Sequence, residues 1–214
     1  MPCDLLHNGS PRLAPKLNTI YCMSKIQLFA KLKKEYDHYY LSRQKIIGVA
    51  NDALANSKQA IFSLHRDNIK EAEKLLLVAE KKLSGLRKYF NQNLFLEDEG
   101  AYRAAIEEYA EAKLFWQVLT KGKIDFIKDV NLYFAGYLGG LCDLTGELLR
   151  KIILLATAEK FKEAQKLKDI LSDIVAQMIK FNLTGYLRNK FDAAKHNLRK
   201  AEEVLYYIKI KSLR

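Results

Sequence analysis

Asp143 and Glu147 stand four residues apart in the stretch Gly139–Arg150, GGLCDLTGELLR, which is otherwise largely apolar. On a helix that spacing places both carboxylates on one face, one turn apart. Carboxylates flanked by Leu141, Leu144, Leu148 and Leu149 need partners or a metal to remain ionised. A second pair, Glu108 and Glu111 in EEYAEA, has three-residue spacing, which also stacks two side chains on one helical face. Oxygen donors on two helices suit hard divalent cations such as Mg2+ or Mn2+, and such metals serve phosphodiester cleavage. Blander roles compete with this one: Glu107, Glu108 and Glu111 also fit a solvated helical face, and Asp143 and Glu147 could pair with a base such as Arg150.

The elements that must position these acids are helical. All three prolines fall at positions 2, 11 and 15, so nothing from Lys16 onward removes a backbone donor. Ala, Leu, Lys, Glu and Ile dominate that span and hairpin signals are few, which predicts an all-α class of six to seven helices. Apolar periodicity places the helices at about 24–66, 69–90, 101–119, 131–158, 159–181 and 184–209. Asp67 or Asn68 can cap the second, Gly122 can stop the third, and 91–100 forms a polar loop. The central helix carries Gly136, Gly139, Gly140 and Gly146. Each costs roughly 1 kcal/mol in a helix interior relative to alanine, so four of them imply close approach by another helix or a ligand. Three lie seven, four and three residues before Asp143 and are expected to clear space along the face that presents it.

The net charge of +11 resides almost wholly beyond residue 22, favouring a polyanionic partner, nucleic acid before membrane surface. Arg43, Lys58, His65, Arg66, Arg188, Lys190 and Lys195, with tyrosines near some of them, are the candidate nucleic-acid contacts, since cationic and aromatic faces suit single strands. Cys3, Cys22 and Cys142 lack metal or disulfide spacing, which fits a reducing cytoplasm. Residues 1–22 are expected to be a disordered leader or an extension, with one helical domain over 23–214, and no apolar run is long enough to span a membrane. A di-iron bundle needs a Glu-x-x-His motif on each of two helices, and only Glu35 to His38 fits.

GGLCDLTGELLR and EEYAEA together resemble the translin family, specifically its translin-associated factor X (Trax) branch. LSR at 41–43, SKQAIFSLHR at 57–66 and LRNKFDAAKHNLRKAEEVLYYI at 187–208 extend the resemblance over about 24–209. It implies an all-α, seven-helix fold assembling into a barrel-like, commonly octameric shell with nucleic acid inside. In the catalytic branch it implies an Mg2+-dependent endoribonuclease acting on single-stranded RNA. Matched motif by motif, the catalytic and metal-binding carboxylates are Glu108, Glu111 and Asp143, with Glu147 as the fourth. Short loops point to a compact archaeal or prokaryotic type that assembles with itself, or with a translin-like partner chain. The alternative is a non-catalytic oligomer that binds single-stranded RNA or DNA.

Overall fold

The computed structural model describes residues 25–90 and 94–211, and among these every regular element is a helix. Six are long: α1 (Lys25–His65), α2 (Ile69–Gly85), α4 (Gly100–Lys121), α5 (Phe134–Thr157), α6 (Phe161–Met178) and α7 (Gly185–Lys211). A single turn, α3 (Arg87–Phe90), and a 3₁₀ turn at Leu94–Asp98 complete the set. This is the all-α class expected. The expected leader at 1–22 lies outside the described residues.

Two boundaries differ from the sequence expectation, each for a local reason. The helix expected over 69–90 ends at Gly85, a poor helix former, and the Leu86 N–H turns back to the Leu83 carbonyl. The central helix begins at Phe134 instead of near 131, because the connector before it is irregular and anchored by the buried side chains of Ile127 and Val130. Other signals hold. The Asn68 side chain accepts from the Glu71 amide at the start of α2, and Gly122 closes α4 with a φ of 66°.

Contacts divide the chain after Tyr40. In the first unit Ile26, Phe29, Leu32, Tyr36 and Tyr40 are exposed, Tyr36 and Tyr40 stack, and Lys33 pairs with Asp37. In the second unit α5 packs against α4, α6 and α7, and α2 packs against α4. Its core holds Ile46, Leu64, Leu83, Ile106, Phe115, Leu144 and Leu148. Glu80 of α2 accepts from the Tyr109 hydroxyl at 3.0 Å and pairs at 3.3 Å with Lys113, tying α2 to α4.

The α4–α5 contact explains the glycines. A Cβ at Gly136 would stand 2.7 Å from Ile106, one at Gly140 2.7 Å from Ala110 Cβ and 3.0 Å from the Glu111 amide, and one at Gly139 2.8 Å from the Glu107 carboxyl carbon. The close approach is therefore made by α4, and the cleared space admits α4 and Glu107 more than it opens room beside Asp143. Gly146 meets only Asn197, at an ordinary 3.6 Å. Gly140→Ala should cost roughly 1–3 kcal/mol through overpacking against a rigid helix backbone. Gly146→Ala should gain up to about 1 kcal/mol in helix propensity. Urea unfolding of the two variants beside the parent checks both signs.

Candidate active site

Glu107, Glu108 and Glu111 project from α4, Asp143 and Glu147 from α5, and the glycine-mediated contact sets the two groups facing each other. Glu111 sits at the electrostatic centre. It is 8% exposed, and among the described residues no side chain makes a hydrogen bond or salt bridge to it. Burial, followed by the charges of Asp143, Glu108 and Glu147, pushes its carboxyl up to about 9. Burial also raises Glu108 above the usual carboxylate range, with Lys58 opposing and Asp143 and Glu147 adding to the rise. The four acids thus share one field. Among the described residues, however, no three His, Cys, Asp or Glu side chains are gathered as ligands around a single point.

The remaining three acids each have a cationic or hydrogen-bonding partner from another helix. Lys58 of α1 stands 4.0 Å from Glu108, His65 at the end of α1 contacts Glu147, and Lys190 of α7 contacts Asp143. Arg150, the partner that local sequence offered, is exposed. Lys190 also lies 3.0 Å from Glu107, which accepts a 2.8 Å hydrogen bond from the Tyr186 hydroxyl. The Lys190 ammonium is 5.0 Å from the Tyr186 ring centroid. Burial works against the charge on Lys190, yet hydrogen bonds to Asp143 and Tyr186 and the Asp143 charge hold it protonated beyond an ordinary lysine. Burial raises the Asp143 carboxyl, and Lys190 opposes that rise.

His65 is buried with its ring 5.0 Å from that of Phe115, and among the described residues its Nδ1 has no partner. The tautomer with its proton on Nε2 satisfies the contact to Glu147 and leaves only an acceptor unpaired. The backbone at His65 is held in turn by Lys151 of α5, whose buried ammonium donates to the carbonyls of Leu64 and His65 and to Asp67. A cation at a helix C-terminus is favourable, so Lys151 both caps α1 and sets the position of His65.

Of the seven basic residues expected to meet nucleic acid, Lys58, His65 and Lys190 therefore lie on the acids. Arg43 pairs with Glu99 at 2.7 Å, Arg66 lies over the Phe62 ring, and Arg188 and Lys195 share Asp192 at 3.2 and 2.6 Å. Sequence reasoning missed the Glu107–Tyr186–Lys190 cluster. The four-residue spacing of Tyr186 and Lys190 signals a shared face, but nothing local ties that face to Asp143. Cys142 is buried 3.7 Å from the Met178 sulfur, and burial with the Asp143 charge pushes its thiol up to about 12, so it is a poor nucleophile.

A carboxyl raised in this way has a defined effect on stability. Folding takes up a proton at Glu111 between the ordinary glutamate range and about 9, so stability falls as pH rises through that window. Glu111→Gln removes the titration, should flatten that slope, and at pH near the top of the window should exceed the parent by about 1–3 kcal/mol, the usual cost of a buried unpaired polar group. Urea unfolding measured across the window reads the difference.

The chain is 27% identical over 161 residues to the Translin-associated protein X homolog of Schizosaccharomyces pombe, covering 69% of this chain and 64% of that one. It is 23% identical to Translin-associated protein X of Mus musculus, over 86% of this chain and 78% of the mouse protein. An uncharacterised protein of Methanocaldococcus jannaschii is also 23% identical, over 80% of this chain and 79% of its own length. The fold is similar to the crystal structure of apo-NeC3PO, with a TM-score of 0.79 at 21% identity over 87% of this chain and all of that one. The same score and identity relate it to AfC3PO in a complex with duplex RNA, over 87% of this chain and 99% of that one. The family model described as Translin family matches residues 41–212, and the chain belongs to the translin family.

Proposed function

We propose that this protein is a divalent-metal-dependent endoribonuclease acting on single-stranded RNA, with Glu108, Glu111, Asp143 and Glu147 holding Mg2+ or Mn2+. The observation that carries this reading is Glu111, a buried carboxyl with no paired side chain among the described residues, with Glu108 beside it on α4 and Asp143 and Glu147 facing it from α5. A donor set made only of carboxylate oxygens fits a hard cation. When bound, such a cation supplies Lewis-acid stabilisation of phosphate charge and a more acidic water.

The chain's own residues do the rest. Glu111 must release its proton to become a ligand, which makes metal affinity rise with pH. His65 orients Glu147 by holding one of its oxygens, as hydrogen-bonded partners of ligating carboxylates do. Exposed Arg66 and Arg188, together with the net charge of +11, attract the phosphate backbone, so binding should weaken steeply with salt. Exposed apolar side chains such as Phe134, Ile179 and Phe181 support self-association into a homo-oligomer or docking of a translin-like partner chain. Among the described residues no helix is long and apolar enough to cross a membrane.

A second reading has its own support. The partners on Glu108, Asp143 and Glu147 would serve equally well if the acids only braced a non-catalytic oligomer that binds single-stranded RNA or DNA. Cleavage of an unstructured RNA with Mg2+ and with EDTA separates the two. Asp143→Asn should lower Mg2+-dependent cleavage by at least about 100-fold while leaving RNA binding in EDTA within about three-fold of the parent. Binding without cleavage in any divalent metal would establish the second reading.

A further inference from the structure

Lys190 is the feature that a simple set of metal-binding acids does not call for. Its side chain is only 17% exposed and its ammonium bridges Asp143 on α5 to Glu107 on α4, with the Tyr186 ring alongside and the Tyr186 hydroxyl on Glu107. Asp143 is therefore already neutralised, and by a side chain of the protein itself. Glu107 is not among the four acids assigned to the metal, and its carboxylate sits 2.8 Å from where a Cβ on Gly139 would be, so the glycine makes room for it. Glu107 and Tyr186 thus form a second holding place for the same ammonium.

We propose that Lys190 is an exchangeable counter-ion, which balances Asp143 in the metal-free protein and withdraws onto Glu107 and Tyr186 when a divalent cation takes Asp143. This rests on the metal-holding reading of the four acids. The physical reason is that two positive charges cannot both sit on one carboxylate in a part-buried site without strong repulsion. Metal and ammonium compete for Asp143, and the competition lowers the metal affinity of the intact protein. The metal-free protein gains in return, since without Lys190 the Asp143 carboxylate would be part-buried and without its cation. The same competition makes metal binding move a side chain on the first turns of α7, and so couples the acid site to that helix.

Mn2+ affinity, measured by electron paramagnetic resonance on the full chain without RNA, tests this independently of cleavage. Lys190→Gln keeps hydrogen-bonding capacity and removes the charge, and should bind Mn2+ at least about ten-fold more tightly than the parent. Lys190→Arg keeps the charge and should stay within about three-fold. If Lys190 merely positions Asp143 for the metal, Lys190→Gln will bind Mn2+ more weakly, and equal or weaker binding overturns the proposal. Should Lys190→Gln be unstable without metal, its thermal unfolding gives the second readout. Saturating Mn2+ should then raise its melting temperature by more than it raises the parent's, because tighter binding stabilises more; an equal or smaller rise overturns the proposal. Equal Mn2+ affinity with metal-dependent RNA cleavage retained defeats the exchange alone. Absence of Mn2+ binding and of cleavage in parent and variant alike defeats the metal reading, and the exchange with it.

Discussion

The contact on which the candidate site depends is the approach of α5 to α4 across Gly136, Gly139 and Gly140. At Gly140 an added methyl group would meet both a side chain and the backbone of α4. At this distance the acids of the two helices cannot avoid one another. Glu111, placed within the contact, loses its water and gains three acidic neighbours, and its carboxyl rises to about 9. Alanine in place of these glycines would press on Ile106, Glu107 and Ala110 and force the two helices apart. The cost of glycine in a helix is therefore offset by packing, and the packing generates the unusual electrostatics.

Charge balance is the second consequence. A cluster of acids in a part-buried space is unfavourable unless compensated, and compensation arrives from outside the α4–α5 pair. The ammonium of Lys58 comes from α1 and that of Lys190 from α7, and His65 of α1 adds a hydrogen bond to Glu147. These partners do not bind equally firmly. Lys58 is largely exposed and 4.0 Å from its acid, a weak surface pair. His65 is buried, and its backbone is fastened by Lys151. Lys190 is shared between two acids on two helices. Among the described residues Glu111 is the one acid of the five that no other side chain pairs with, and burial favours its protonated form. That uneven distribution distinguishes this cluster from a set of ordinary surface ion pairs, in which each acid meets its own base.

The sequence by itself determined the class, most of the helices and the identity of the acids. Helix periodicity is a local property: residues three and four apart share a face whatever surrounds them, so the pairing of Glu108 with Glu111 and of Asp143 with Glu147 was legible. The cost of glycine in a helix is local as well, and it announced a close approach without saying what approached. The ends of α2 and α5 were less legible, because the break at Gly85 and the anchored connector before Phe134 depend on what Leu86, Ile127 and Val130 bury.

Only the tertiary structure decided which basic side chains meet which acids. Lys58, His65 and Lys190 had the look of nucleic-acid contacts, since a basic residue on an amphipathic helix carries no mark of the helix it will face. His65 is 82 positions from Glu147 and Lys190 is 47 from Asp143. Such pairings follow from how whole helices seat against each other, a sum over many apolar contacts that no short stretch encodes. For the same reason Glu107, which its neighbours in sequence leave on a solvated helical face, meets Lys190 and Tyr186 on a helix some eighty residues away.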